Sequence, residues 1–321
     1  MKRIVLFDTA QGTTNEGDYI IKECIDQEMD FLFKSQYIVR YSTHQPISKF
    51  YQMFRKNLIS HVCSTSDYKF LCGTNLFMNS LLRLSPNWNI NFTSCKYYEG
   101  SIAIGCGMDM NAKYMDPYTK SIYKKILSHD YIHSVRDEHT KLFFESLGVK
   151  AINTGCPTLW GFTPELCESI ATKKKNNVIF TLTDYKRNPK LDQEFIEILR
   201  THYNRLMFWV QGYDDYEYLK TLTDVTGIEI IPQSYKDYEK ALHSDDVEYV
   251  GTRLHAGIYA MRHGIRSIII CIDNRAEDMH GSYNLPVVTR KNLVSKIISE
   301  FTTNICVPHE KIEFWKAQFI K

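Results

Sequence analysis

The sequence lacks a hydrophobic run long enough to act as a secretory signal or to cross a membrane. After the first three residues the apolar run is only Ile4–Phe7, and the longest later run is Ile268–Ile272. A signal segment needs roughly 7–15 consecutive apolar residues, and a spanning helix needs roughly 18–20. We therefore expect a chain without a leader or a transmembrane segment.

Cysteine pairs at redox or metal-site spacing are also lacking. The nine cysteines stand alone, their number is odd, and none forms a C-x-x-C pair. A disulfide framework and a zinc ribbon are therefore not expected, and contexts such as those of Cys72 and Cys271 indicate small core residues. No His/Cys/Asp cluster has the spacing of metal ligands. The pattern predicts a reduced, cytoplasmic protein without a bound metal.

Neither basic nor acidic residues are in clear excess in the sequence. The 39 Lys and Arg residues oppose 37 Asp and Glu residues, which gives a net charge of +2. This balance argues against a dedicated nucleic-acid binder, which usually has a clear basic excess. The 321 residues, 44% of them hydrophobic, are enough for a sizeable core and for one large domain or two.

Strand-length apolar runs alternate with helix-period segments along the chain, which begins with a predicted strand at Arg3–Phe7. One predicted helix spans Ile47–Ile59. The alternation breaks at the polar segment 172–177 and restarts with a strand at Val178–Leu182. Repeated β–α alternation predicts parallel sheets with helices on both faces. We expect two Rossmann-like α/β domains facing a cleft, a GT-B-like layout, with bounds 1–172 and 173–305, and a helix at 306–321 that packs back on the first domain.

The first candidate site is the polar turn after the first strand. Ligands of parallel α/β sheets bind beyond the carboxyl ends of the strands, and this turn contains Asn15, Gly17 and Asp18. The helix that follows offers unpaired N–H groups and a positive dipole end to a sugar or a phosphate. The alternative is that Asp18 only caps the helix. The turn matches neither a P-loop nor a dinucleotide fingerprint.

The second candidate is Arg136, at the end of a predicted strand. An arginine there points into the predicted cleft and can bind a carboxylate or a phosphate through two parallel hydrogen bonds. The alternative is a surface arginine paired with Glu138 or Glu145, an arrangement that contributes little.

The third candidate carries the strongest signal. A predicted strand ends at Val250, and Arg253, Leu254 and His255 follow at the start of a helix. The turn therefore combines a fixed cation, backbone N–H donors and a group that can transfer a proton. This combination suits an anionic substrate, although a single histidine is more often structural than catalytic.

The fourth candidate is Arg275, in the loop after the strand Ser267–Ile272, where the alternative is a solvated loop. The acidic pair Asp214-Asp215 is more simply explained as a helix cap or a solvated turn. No nucleophile elbow is present.

Three of these segments resemble the polysaccharide pyruvyl transferase family. The most specific match is a hydrophobic strand that runs into G-x-R-L-H-A, followed by a helix, a glycine and another apolar strand. Shorter matches are the family's N-x-G-D turn and its strand ending in R-D. The sequence differs from the family's pattern at two places. Arg275 occupies the position of a common lysine, and the turn Cys72–Asn75 occupies the position of a Gly-rich turn. The matching residues are Asn15, Gly17, Asp18, Arg136, Asp137, Leu147, Gly148, Gly251, Arg253, Leu254, His255, Ala256 and Gly264.

The resemblance implies a GT-B-like fold and transfer of pyruvate from phosphoenolpyruvate to two hydroxyls of a sugar, in a polysaccharide or its precursor. The product would be a cyclic ketal, as in exopolysaccharide or capsule biosynthesis. By the family's pattern, Arg136, Arg253, Leu254 and His255 would hold phosphoenolpyruvate, with Arg253 and His255 catalytic. The N-terminal domain would bind the acceptor and the C-terminal domain the donor.

No cofactor or metal ion is expected for this chemistry, and a lipid-linked acceptor would bring the protein to a membrane face. The rival interpretation is a GT-B glycosyltransferase with a nucleotide-sugar donor, because a fold does not fix a function. A binding protein without activity is a third reading, which the presence of both Arg253 and His255 disfavours.

Overall fold

The computed structural model describes residues 1–49, 52, 57–83, 87–109 and 115–320. The chain divides into two compact units. The first unit comprises Met1–Thr13, Ile21–Trp160 and Pro308–Lys321, and the second comprises Thr14–Ile20 and Gly161–Val307. Six of the thirteen residues of the helix predicted at Ile47–Ile59, namely 50, 51 and 53–56, lie outside the described residues.

The first unit is built on parallel strands with the described order β2-β1-β3-β4, beside the parallel pair β5-β6. Strand β1 is buried from its second residue to its last, as expected for a central strand covered on both faces. The elements of this part of the chain are β1 Arg3–Asp8, α1 Gly17–Glu28, α2 Asp30–Phe33, β2 Tyr37–Ser42, α3 Leu58–Ser64, β3 Tyr68–Cys72, β4 Ile102–Ile104, α4 Pro117–Ile126, β5 His133–Val135, α5 Glu138–Ser146 and β6 Ala151–Asn153.

A buried histidine joins β4 to β5. His133 Nδ1 accepts a hydrogen bond from the Ala103 N–H (3.1 Å), and its Nε2 lies 2.9 Å from the Ser128 carbonyl oxygen. A carbonyl only accepts, so Nε2 carries the proton and the ring is neutral. Burial lowers the pKa of His133 to about 4, which keeps the ring neutral at pH 7.

The second unit contains a six-stranded parallel sheet of order β12-β11-β10-β7-β8-β9 within the described residues. The chain runs outward from β7 through β8 and β9, and then returns to β10 on the other side of β7. The elements are α6 Pro164–Ser169, β7 Asn177–Thr181, α7 Pro189–His202, β8 Arg205–Trp209, α8 Asp215–Leu222, β9 Ile228–Ile231, α9 Tyr235–Leu242, β10 Val247–Gly251, α10 Leu254–Arg262, β11 Ser267–Ile270, α11 Asn274–Tyr283, β12 Val287–Val288 and α12 Leu293–Ile298.

The order of the second sheet is that of the doubly wound α/β fold, in which ligands bind where the strand order reverses. Here that position lies between the carboxyl ends of β7 and β10. The predicted parallel-sheet α/β class is confirmed by both units.

The division at residue 160 differs from the boundary expected near 172. Residues 161–172 pack within the second unit, where the Ala171 N–H donates to the Gly264 carbonyl (3.1 Å) and the Phe301 N–H donates to the Thr172 carbonyl (3.3 Å). The last helix, α13 (His309–Ala317), belongs to the first unit. There the Trp315 Nε1–H donates to the Ile132 carbonyl at 2.7 Å.

All nine cysteines are free, and seven of them are buried, Cys72 included, whereas Cys271 is half-buried. Burial raises the pKa of the Cys106 thiol to about 12 and that of Cys72 well above its ordinary value, so both stay protonated.

Among the described residues, no helix has both the length and the apolar character that a membrane span requires.

Candidate functional site

Arg253 lies at the reversal point of the second sheet, two residues after the end of β10. Its Nε–H donates to the Leu182 carbonyl (3.0 Å), and its backbone N–H donates to Thr181 Oγ1 (3.3 Å), both at the end of β7. The buried Tyr249 hydroxyl donates to the Arg253 carbonyl at 2.8 Å. These contacts fix both the backbone and the guanidinium between the two strands.

Two carboxylates share the Arg253 guanidinium. Nη2 lies 2.8 Å from Asp184 Oδ1 and also donates to Asp215 Oδ1. The side chains of Arg253 and Asp215 are 5% and 0% exposed, whereas that of Asp184 is 23% exposed. With both carboxylates ionised, this group of three carries a net charge of −1.

Burial raises the pKa of Asp215 to about 6, against the opposing effects of Arg253 and of the Gly212 N–H, and the negative charge of Asp184 adds to the increase. Burial alone would lower the pKa of Arg253, but Asp215 outweighs it and the net shift is upward. The guanidinium therefore stays charged, while Asp215 can take up a proton near neutral pH.

Gly212 is required by the close approach of Arg253. A Cβ at Gly212 would collide with Arg253 Nη2 and would lie 3.1 Å from Asp215 Oδ1. The Gly212 N–H donates to Asp215 Oδ2 at 2.7 Å. The turn after β8 thus positions the buried carboxylate that faces the arginine.

A second guanidinium, that of Arg275, lies beside Tyr185. Its Nη2 donates to the Tyr185 hydroxyl (2.7 Å) and to Asp273 Oδ2 (2.5 Å). The guanidinium carbons of Arg253 and Arg275 lie 5.1 Å and 6.0 Å from the centre of the exposed Tyr185 ring. Tyr185 therefore connects the two arginines, and Arg275 is part of an ion pair rather than a solvated loop.

Leu254 and His255 form the first turn of α10 and are half-buried. Arg253 is the N-cap residue of this helix and makes no side-chain cap hydrogen bond. Elsewhere in the unit, Asn188 and Ser234 cap their helices with side-chain oxygens. The N-terminus of α10 therefore presents its positive dipole end beside Arg253.

The polar turn predicted from the sequence belongs to the second unit. Asn15 Oδ1 accepts hydrogen bonds from Gln211 Nε2 (2.9 Å) and from the Gly17 N–H (3.2 Å), and Asn15 bridges to Gly212. Gly17 is closely packed, because a Cβ there would lie 2.7 Å from Gln211 Nε2. Asp18 is buried in the first turn of α1. The turn is thus fixed on the loop that also holds Asp215.

Arg136 lies in the first unit, directly after β5, and is 7% exposed. Its Nη2 donates to Asn75 Oδ1, and its Nε lies 3.5 Å from Asp137 Oδ2. A Cβ at Gly107 would collide with this guanidinium. Glu138 and Glu145 pair with Lys141, and Arg136 is buried rather than at the surface.

Four of the predicted site residues lie together at the carboxyl edge of the second sheet: Arg253, Leu254, His255 and Arg275. The turn at Asn15 lies on the loop after β8 of the same unit. Arg136 belongs to the first unit. Sequence reasoning missed Asp184, Tyr185 and Asp215. Asp215 does open a helix, as the acidic pair indicated, but it is buried rather than solvated. The available signal for Asp184 was that it closely follows the strand predicted at Val178–Leu182.

A family model described as polysaccharide pyruvyl transferase matches residues 11–274, which is most of the chain. The matched range includes Arg136, Arg253 and His255. No curated protein matches the chain.

Several solved structures share the fold. UDP-GlcNAc 2-epimerase from Methanocaldococcus jannaschii has a TM-score of 0.56 at 12% identity, with 100% of this chain and 99% of that chain covered. The S. aureus MnaA–UDP co-structure has a TM-score of 0.53 at 12% identity, with 98% and 94% covered. The UDP-N-acetylglucosamine 2-epimerase from Rickettsia bellii has a TM-score of 0.50 at 15% identity, with 100% and 95% covered. These similarities confirm the predicted GT-B-like fold class.

Proposed function

This chain belongs to the polysaccharide pyruvyl transferase family, a family of transferases, and from that premise we propose that it uses phosphoenolpyruvate as the donor. The acceptor is a sugar of a polysaccharide or of its precursor, and the product is a cyclic pyruvate ketal. The observation that carries the proposal is Arg253, fixed beside the N-terminus of α10 where the strand order of the second sheet reverses.

The charge of the Arg253 group determines how an anion can bind there. Phosphoenolpyruvate carries a carboxylate and a phosphate, whereas Arg253 with two ionised aspartates is already negative by one charge. Protonation of Asp215, whose pKa is raised to about 6 by burial, would make the group neutral. A bound trianion would favour that protonated form further, because two like charges at a short distance raise a carboxyl pKa. Donor binding is therefore coupled to the uptake of a proton.

The reaction needs a proton on the donor and two hydroxyls on the acceptor. The methylene carbon of the enol takes up a proton, and one sugar hydroxyl attacks the adjacent carbon and loses its own proton. The C–O bond to phosphate then breaks, and the second hydroxyl attacks the same carbon, loses its proton and closes the ketal. Inorganic phosphate leaves with the bridging oxygen.

Two groups can supply or relay the proton. His255 lies in the first turn of α10, beside Arg253 in the chain, and Asp215 contacts the Arg253 guanidinium. We assign His255 to proton transfer or to the departing phosphate, and Arg253 to stabilisation of the developing charge. Arg275 and Tyr185 would extend the anion site. The turn with Asn15, Gly17 and Asp18, and Arg136 of the first unit, would serve substrate binding.

Product formation tests the proposal directly. The full chain is incubated with phosphoenolpyruvate labelled with ¹³C at the methylene carbon and with candidate oligosaccharides, and the NMR signal of a ketal methyl group is sought together with released phosphate. His255→Ala should lower turnover while it preserves donor affinity. A His255→Ala variant with full turnover would remove His255 from proton transfer.

A glycosyltransferase with a nucleotide-sugar donor is the second candidate, since the structures that share the fold include UDP complexes. At 12% identity that similarity concerns the fold alone. A lipid-linked acceptor and a cytoplasmic location stay predictions.

A further inference from the structure

A group of metal-ligating side chains lies in the second unit, apart from the Arg253 site. Glu239 stands on α9, His243 ends that helix, and His263 ends α10. The ligand atoms of these three side chains all lie within 4.8 Å of one another. Glu239 Oε1 and His263 Nε2 are 3.6 Å apart. Two ligands of tetrahedral zinc at bonds of about 2.0–2.1 Å stand roughly 3.4 Å apart, so this pair is already close to ligand spacing.

The orientation of His263 presents the correct nitrogen. Its Nδ1 lies 2.9 Å from the Tyr259 carbonyl oxygen. A carbonyl only accepts a hydrogen bond, so Nδ1 carries a proton, and Nε2, which faces Glu239, is the nitrogen left for a metal ion. Histidines that bind metals usually donate their other ring N–H in this way, which fixes the ring for coordination. The Tyr259 ring packs against His263 with centroids 4.5 Å apart.

The electrostatic field at Glu239, His243 and His263 favours a bound cation. Helices α9 and α10 both end at this group, and the C-terminus of a helix carries partial negative charge. The neighbouring Lys240 contacts Asp237 (2.9 Å) on the preceding turn. The positions 239 and 243 are one helical turn apart and share a face. His243 is exposed and its ring centre lies 5.7 Å from that of His263, so a small rotation completes the set.

We infer that Glu239, His243 and His263 bind one divalent transition metal ion, Zn²⁺ by ligand type, with water as the fourth ligand. Two imidazoles and one carboxylate suit zinc, and they do not suit Mg²⁺ or Ca²⁺, which prefer oxygen ligands. Spacing in the sequence did not indicate this group, because the third ligand comes from the next helix, 20 residues along the chain from His243.

The position of the site defines what the metal does. The turns after His243 and His263 lead into the amino ends of β10 and β11, whereas Arg253 follows the carboxyl end of β10. The metal therefore lies at the opposite edge of the sheet from the donor site. It joins the ends of α9 and α10 and stabilises the fold without entering the transfer reaction, so this inference does not depend on the proposed function.

Zinc titration of the full chain, without a histidine tag and after treatment with a chelator, tests the site. Calorimetry should give one Zn²⁺ per chain, and saturating Zn²⁺ should raise the melting temperature by about 5 °C. Tetrahedral Co²⁺ in the same site should give a visible absorption band. His243→Ala should weaken binding at least about tenfold and remove both signals, and Glu239→Gln should also weaken binding.

His139→Ala, which removes an exposed histidine of the first unit, is the matched control and should bind Zn²⁺ as the wild type does. His243 is exposed, so its loss leaves the fold intact. Zinc affinity unchanged in His243→Ala, or no binding by the wild-type chain, would overturn the inference. Phosphoenolpyruvate affinity should be the same in His243→Ala and in the wild type.

Discussion

The two units use a buried arginine at the end of a strand in two different ways. Arg136 in the first unit contacts the neutral amide of Asn75 and the partly exposed Asp137. Arg253 in the second unit is shared by Asp184 and the fully buried Asp215. Arg136 thus lies beside one neutral amide and one carboxylate, whereas Arg253 lies beside two carboxylates.

The number of carboxylates around a buried arginine decides whether its site responds to protons. Two aspartates that share one guanidinium cannot both be fully satisfied, and burial raises the pKa of Asp215 to about 6. Asp137, the carboxylate paired with Arg136, is partly exposed. We therefore expect proton-linked anion binding in the second unit only.

The largest expected effect is on stability. Arg253→Ala leaves Asp215 buried without its cation and should lower the free energy of unfolding by about 3–5 kcal/mol. Arg136→Ala removes the partner of the Asn75 amide oxygen and of the partly exposed Asp137 and should cost about 1–3 kcal/mol. Urea unfolding of both variants measures the difference, and equal losses would contradict the contrast between the two arginines.

The pH dependence of stability should have opposite signs in the two units. The pKa of His133 is lowered to about 4 by burial, so the unfolded chain binds more protons between about pH 6.5 and 4, and stability falls as the pH falls through this range. The pKa of Asp215 is raised to about 6, so the folded chain binds more protons between about pH 6 and 3.8, and this contribution grows as the pH falls.

For His133 the free energy of unfolding should fall by about 3 kcal/mol between about pH 6.5 and 4. His133→Gln should remove this slope and His139→Gln should retain it. Urea unfolding at several pH values measures it through tryptophan fluorescence, to which Trp88, Trp160 and Trp315 of the first unit contribute. An unchanged slope in His133→Gln would show that another group causes the acid sensitivity.

The affinity for phosphoenolpyruvate should depend on Arg253 even in a protein in which the Asp215 carboxylate, which Arg253 neutralises, has also been replaced. The double variant Arg253→Gln/Asp215→Asn keeps no unpaired ion at Asp215 and should fold, but it should bind phosphoenolpyruvate about 10- to 100-fold more weakly. Asp215→Asn alone is the control and should bind at least as tightly as the wild type. Calorimetry on the two variants separates loss of binding from loss of folding.

The smallest expected effect is the proton uptake that accompanies donor binding. At pH 7 the wild type should take up as much as about one proton per phosphoenolpyruvate bound, and Asp215→Asn should take up clearly less. Calorimetry in buffers of different ionisation enthalpy measures this number. Identical uptake in both proteins would exclude Asp215 as the linked group.

The β–α alternation was sufficient to predict the parallel sheets, and the turn after β10 was sufficient to predict the position of Arg253. Both signals are local, because a strand, a turn and a helix lie within about 15 residues. The charge partners of Arg253 could not be predicted in this way. Asp184 and Asp215 follow different strands, and only the pairing of β7 with β8 and β10 brings them to one guanidinium.

The central claim, that the second unit binds phosphoenolpyruvate at Arg253, is tested most directly by calorimetric titration. Phosphoenolpyruvate, UDP and GDP are titrated separately into the wild-type chain, Asp215→Asn and Arg253→Gln/Asp215→Asn. We predict that phosphoenolpyruvate binds to the first two proteins and only weakly to the third. Binding of a nucleotide without binding of phosphoenolpyruvate would contradict it and identify a nucleotide-sugar enzyme.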